Sequence, residues 1–144
     1  MRYQRPSLIE RIFNMSLGKL LAIGIGPRHM RLLQVRGRRS GRIIQTPVDV
    51  LNLDAQLFLV APRGETQWVR NARVSKQVGL KRGNSRADYE LTELEGDDHA
   101  RVLKAYLTAF VGEVQGYFPL QPDAPLDDFL ALRTQYPAFR LSPL

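Results

Sequence analysis

The chain of 144 residues contains no cysteine. Disulfides, thiolate catalysis and cysteine-ligated metals are thereby excluded. It has only two histidines, His29 and His99, far apart in sequence, so a histidine-rich metal site is not expected. Acids are scarce, 14 against 21 lysines and arginines, for a formal net charge of +7. That imbalance favours an acidic partner: nucleic acid, a membrane surface or a phosphorylated ligand. Long hydrophobic runs are missing too. The stretch Leu20 to Gly26 is much too short to span a bilayer, and Lys19 precedes it. No cleavable signal is evident, so the expected location is the cytoplasm. There is no nucleophile elbow, paired-carboxylate motif or Walker loop. Glu65 and Asp49 are isolated acids and read as capping or solvated. An enzyme with so little chemistry of its own needs a bound cofactor to carry the reaction.

What the chain does have is a succession of strand signals. The length suits one domain with a sizeable core. Ser7-Leu8-Ile9-Glu10 has the form of a capping box. Ile9, Ile12, Phe13, Leu17, Leu20 and Leu21 follow at roughly helical spacing, and Gly24, Gly26 and Pro27 end that helix. It is expected to pack across a sheet. With Arg11 and Lys19 on a weakly basic face, an interfacial membrane helix is the alternative. Strands are expected over Met30 to Arg36, Arg42 to Leu51 with a turn at Asn52 to Ala55, Gln56 to Ala61, Gln77 to Arg82 and Arg86 to Leu94. The third is nearly all apolar, as a strand buried on both faces would be. A short helix is expected over Gln67 to Ser75. Asp97 or Asp98 should cap another, with the stripe Val102, Leu103, Tyr106, Leu107, Phe110 and Val111. Residues 112 to 125 read as a loop, Leu126 to Gln135 as a last helix, and Phe139 and Leu141 as a short closing strand. Irregular alternation of strand and helix points to an α+β chain built on a small closed or half-closed barrel. The layout is an N-terminal helix over 1–27, a barrel core over 28–95 and C-terminal helices over 96–144.

Charge concentrates in one place. Arg36-Gly37-Arg38-Arg39-Ser40-Gly41-Arg42 puts four arginines in a seven-residue turn between two strands. Guanidinium forks and backbone N–H groups can converge there on one phosphate. The plainer reading is a solvated hairpin tip. A second loop, Ala61-Pro62-Arg63-Gly64-Glu65, leads into Trp68-Val69-Arg70-Asn71, and the helix start near Gln67 could form a further anion site. Trp68 offers a flat wall or is simply core. Asn71 offers donors and an acceptor one helical turn away. Together these suit a ligand with a planar ring and a phosphate.

These residues resemble a known family. Gly37-Arg38-Arg39-Ser40-Gly41, Thr46-Pro47-Val48, Val60-Ala61-Pro62-Arg63-Gly64-Glu65 and Trp68-Val69-Arg70-Asn71 look like the deazaflavin-dependent nitroreductases. The likeness runs on through Val78 to Gly83 and reaches Tyr136-Pro137-Ala138-Phe139-Arg140-Leu141. It implies a split β-barrel similar to that of FMN-binding oxidoreductases, the coenzyme F420, and hydride transfer to a small electrophilic substrate. By that resemblance Arg38, Arg39 and Ser40 hold phosphate, helped by Arg63. Thr46, Pro47 and Val48 line the coenzyme, Ala61 and Gly64 approach its ring by backbone, and Trp68 and Asn71 wall and orient it. The family often has an arginine where this chain has Ile44. Arg42 must then supply that contact or it is missing, at about 1.5–3 kcal/mol for a charge-assisted bond. FMN, a haem-type group or a lipid stay open as other ligands.

Tyr106, Tyr117 and Phe118 are the expected wall of the open face of the ring, with Tyr106 and Tyr117 as catalytic candidates able to donate a hydrogen bond. The rival function is a nucleic-acid-binding module, disfavoured because no such motif is present and the aromatics are not interleaved with the arginines. A third reading is a non-catalytic carrier on the same barrel. The oligomeric state is open, a homodimer included.

Overall fold

Alternating apolar residues between 30 and 93 need a sheet with one face inward, and the chain supplies it by closing the sheet on itself. The computed structural model describes residues 16–144. Its strands are β1 (Met30–Arg36), β2 (Ile43–Leu53), β3 (Gln56–Val60), β4 (Gln77–Arg82), β5 (Ser85–Glu93) and β6 (Ala138–Pro143). They form a closed barrel in the order β1-β2-β3-β6-β5-β4, with β1 also paired to β4. All neighbours are antiparallel. The helices are α1 (residues 16–22 of it described), α2 (Gln67–Ser75), α3 (Gly96–Ala109), α4 (Val111–Val114) and α5 (Leu126–Leu132). The capping box and Ile9, Ile12 and Phe13 lie outside the described residues.

Two clusters fill the molecule. Inside the barrel, Leu33, Val35, Val48, Leu59, Leu80 and Phe139 meet Val69 and Ala72 of α2, which plugs one end. Outside, Leu51, Phe58 and Val60 pack under Leu103, Leu107 and Phe110 of α3 and its C-terminal turn, and Phe129 of α5. β3 therefore buries both faces, which explains its nearly unbroken apolar run.

Local chemistry moved some boundaries. β2 runs on to Leu53, paired with Gln56, because Asp54 and Ala55 both adopt left-handed φ (52° and 63°) and make a two-residue hairpin turn. α3 is capped by Glu95, without a side-chain bond, and Asp97 and Asp98 sit in its first turn, where they complement the helix dipole. The stretch expected as a loop after residue 111 holds α4 and a 3₁₀ turn at Gln115–Tyr117. β6 pairs with both β3 and β5. The barrel thus draws its last strand from beyond the 28–95 segment.

The end of α1 docks on the β4–β5 hairpin. Leu21 is fully buried, and its carbonyl accepts the Gly83 N–H at 2.9 Å. Gly24 and Gly83 touch backbone to backbone: a Cβ on Gly83 would lie 3.3 Å from the Gly24 Cα. Arg82 fastens the segment that follows, donating to the carbonyls of Gly26 (2.6 Å) and Pro27 (2.7 Å).

α3 is tied to the start of the closing strand by His99, whose Nε2 donates to the Tyr136 carbonyl at 2.7 Å. Burial holds the His99 pKa below its ordinary value of 6.5, against the opposing effect of that hydrogen bond. The unfolded chain therefore binds a proton that the native state resists, and stability falls as pH drops below about 6.5. His99→Gln keeps a donor and removes the titration. Its stability relative to the parent should rise between about pH 6.5 and pH 5 in urea unfolding. Parallel pH profiles for the two proteins would show that His99 titrates as it does in the unfolded chain.

Candidate functional site

The basic turn is built from its own backbone. The Gly37 N–H donates to the Arg42 carbonyl (2.7 Å) and the Gly41 N–H to the Gly37 carbonyl (2.9 Å). Arg36 Nη1 donates to the Gly41 carbonyl, and Ser40 Oγ accepts the Arg42 N–H at 3.2 Å. A Cβ at Gly37 would lie 2.7 Å from Ser40 Oγ and 3.3 Å from the Arg42 carbonyl oxygen, so a side chain there would displace Ser40 from its bond to the Arg42 N–H.

Asn71 then seats the turn on α2. Its Oδ1 accepts both the Arg38 backbone N–H (3.0 Å) and Arg38 Nη1 (2.8 Å), and Gln67 Oε1 takes a third bond from the same guanidinium (3.0 Å). Asn71 is only 2 % exposed. Arg39, Ser40 and Arg42 remain exposed.

The loop after β3 arrives at the same end. The Ala61 N–H donates to the Pro137 carbonyl at 2.8 Å, and Ala61 is fully buried. Gly64 turns the chain at φ 86°. Thr66 precedes α2 as its N-cap, and its buried Oγ1 has no hydrogen-bond partner among the described residues. The helix start is braced by Arg73, which grips Glu65 (2.5 and 2.7 Å) and Glu93 (2.8 and 3.0 Å). Those carboxylates, Glu93 foremost, hold the Arg73 pKa above its ordinary value against some desolvation. Turn 37–42, loop 61–66 and the α2 N-terminus thus share one end of the barrel, with Arg63 half-buried in the loop.

Other expected residues are placed differently. Val48 points into the barrel core. Pro47 is on the opposite face of β2, beneath α1: a Cβ on Gly18 would sit 4.0 Å from its ring. Thr46 is half-buried. Trp68 packs on the barrel core, 5.8 Å from Phe139, and is also half-buried. The Asn71 oxygen holds Arg38, so it positions the turn and is not available to orient a ring. Tyr106 is 2 % exposed and packed edge-on against Phe110, which makes it core, not the wall of an open face. Burial first, then the nearby Asp49 and Glu113 charges, raise its phenol well above the ordinary value. Tyr117 is half-buried on the same helical cluster, and its carbonyl accepts the Tyr136 hydroxyl at 2.6 Å. The two tyrosines therefore belong to the helical layer, whereas the basic turn belongs to the plugged end of the barrel.

Two features had no local signal in the sequence. Asp49, expected to cap or face solvent, lies beside His29 and Glu113, with His29 Nε2 3.0 Å from Asp49 Oδ1 and 2.9 Å from Glu113 Oε1. Burial, then the Glu113 carboxyl through hydrogen bonding and charge, pushes the Asp49 pKa up to about 8. Glu65, given the same expectation, is held by Arg73. A cavity of about 650 Å³ is lined by Arg73, Glu93, Glu95, His99 and Arg133 among others. It contains none of the residues expected at the coenzyme. Of its two arginines, Arg73 is already held by two carboxylates and Arg133 donates to the Leu130 carbonyl, so the exposed arginines of the turn are the better anion site.

The family model for F420H(2)-dependent quinone reductases matches residues 9–117. No curated protein sequence matches the chain significantly. Among solved structures, an F420-H2 dependent reductase is 19 % identical over 80 % of this chain and 95 % of its own, with a TM-score of 0.56. A protein described as a domain-swapped dimer is 17 % identical over 94 % and 100 %, TM-score 0.58. The haem storage protein of Vibrio cholerae is 17 % identical over 81 % and 82 %, TM-score 0.57. At such identities these three speak for the split β-barrel fold alone. The match over 9–117 of 144 residues carries the assignment: the chain belongs to the F420H2-dependent quinone reductase family, oxidoreductases that use the deazaflavin coenzyme F420.

Proposed function

We propose that the protein passes a hydride from reduced F420 to a small electrophilic acceptor, a quinone being the type for which the family is named. The observation that carries this reading is the basic turn, held on α2 by Asn71 and leaving Arg39 and Ser40 exposed at the plugged end of the barrel.

The residues there suit an acidic coenzyme. Arg39 and Arg42 supply two guanidinium groups whose side chains have no ion pair among the described residues. Arg38 keeps its backbone and guanidinium fixed beside them, and the Thr66 hydroxyl and the α2 N-terminus add donors. Arg63 reaches the same end from the loop after β3. Ile44, where the family often carries arginine, is 42 % exposed, which leaves the compensating charge to Arg42.

Reduced F420 supplies two electrons as a hydride when bound. The protein's part is to hold the phosphate, keep the ring in register and deliver the proton that balances the product. Tyr106 is enclosed in core and Tyr117 is half-buried in the same helical layer, so Tyr117 can give that proton only to an acceptor bound against this layer, away from the basic turn.

Arg39→Ala should weaken F420 binding about tenfold or more in a fluorescence titration, as loss of one charge-assisted contact implies. Asn71→Leu should weaken it too while leaving all the arginines in place. It should also cost about 1–3 kcal/mol of stability, because Arg38 loses its buried acceptor. Unchanged affinity in a folded Arg39→Ala protein places the phosphate elsewhere. Salt-sensitive DNA binding without coenzyme affinity favours a nucleic-acid module.

Tyr117→Phe should lower kcat with menadione about tenfold or more, with coenzyme affinity and melting temperature unchanged. Full turnover in that variant, with menadione and with a nitroaromatic acceptor, removes Tyr117 from the chemistry.

A further inference from the structure

No metal centre is expected from a chain with only two histidines far apart in sequence. Folding brings one of them into a mixed set of ligands. His29 precedes β1, Asp49 lies on β2 and Glu113 on α4, and one ligand atom from each lies within 4.8 Å of the others. We propose that His29, Asp49 and Glu113 bind a single divalent first-row transition-metal ion.

The spacing fits. Donors on an ion with bonds of about 2.0–2.2 Å stand roughly 3 Å apart in neighbouring coordination positions. His29 Nε2 lies 2.9 Å from Glu113 Oε1 and 3.0 Å from Asp49 Oδ1. One imidazole and two carboxylates suit zinc, manganese or iron(II) better than calcium or magnesium, which prefer an all-oxygen shell.

The site is built, and not a chance meeting of surface side chains. The Val50 N–H donates to the His29 carbonyl at 3.0 Å, so the β1–β2 ladder fixes His29 beside Asp49. The His29 ring packs on Phe110 with centroids 4.8 Å apart, which sets the direction of its nitrogens. Phe110 in turn leads into α4, and its carbonyl accepts the Glu113 N–H at 2.9 Å.

One atom is left wanting. The Asp49 side chain is 9 % exposed, and its Oδ1 is shielded from water yet accepts no hydrogen bond among the described residues. His29 Nε2 carries at most one hydrogen, and that one is directed to Glu113. A cation between the three donors satisfies Asp49 Oδ1 and Glu113 Oε1 together, and a neutral imidazole completes the set. His29 and Glu113 are 34 % and 43 % exposed, so an ion can enter and its remaining positions face solvent. Bound there, it would pin α4 to β2 and to the approach to β1.

The test uses the full chain, stripped with a chelator and titrated with zinc chloride by calorimetry. The expected result is one ion per chain and a melting temperature that rises with zinc. Cobalt(II) should give visible absorption that zinc displaces. Glu113→Gln, at an exposed position, and His29→Gln should each weaken zinc binding about tenfold or more. Both should melt near the stripped parent, which keeps the comparison fair. No saturable binding by the parent overturns the proposal, as does parent-like binding by both variants. Neither outcome touches the coenzyme reading, which is measured at the other residues.

Discussion

The buried amide oxygen of Asn71, backed by Gln67 Oε1, seats the basic turn on α2. Asn71 Oδ1 accepts two hydrogen bonds from Arg38, one through the backbone and one through the guanidinium. A buried acceptor left unmatched costs about 1–3 kcal/mol, so both partners favour this one arrangement. With Arg38 tied down, the hairpin tip is a fixed surface and not a loose loop. Arginines on a fixed surface lose less freedom when they meet an anion. The same helix that carries Asn71 also plugs the barrel with Val69 and Ala72. Core packing and the charged surface are thus coupled through nine residues of helix.

That coupling extends across the sheet. Arg73, in the last turn of α2, holds Glu65 of the incoming loop and Glu93 at the end of β5. Helix position, loop position and barrel end are therefore set together. Arg73 thus faces two carboxylates, whereas Arg39 and Arg42 on the turn have no ion pair among the described residues.

Much of this was legible in sequence. Met30–Arg36 and Gln77–Arg82 have the expected bounds, with Val78 and Leu80 of the latter in the core, and α2 also has the expected bounds. β3 announced its two buried faces by lacking polar residues. The order of the glycine, arginine and proline motifs pointed to the coenzyme family. What sequence could not display is which side of an element a residue meets. Val48 and Pro47 are adjacent, yet one is core and the other lies under α1. Asn71 is read as a ligand contact because it stands one helical turn from Trp68 with donors and an acceptor to offer, and only the packing of turn on helix reveals its partner. His29 and Glu113 are 84 positions apart, and nothing local connects them.

The strand that closes the barrel comes late. β6 pairs with β3 on one side and β5 on the other, and more than forty residues separate its start from the end of β5. On a ribosome the first five strands emerge well before their seal. Until residues 138–143 follow, β3 and β5 offer unpaired backbone edges to anything nearby. An equivalent strand from a second nascent chain has the same sequence and the same fit. Crowded translation of one message therefore places the correct closure in competition with an exchange of closures between neighbours.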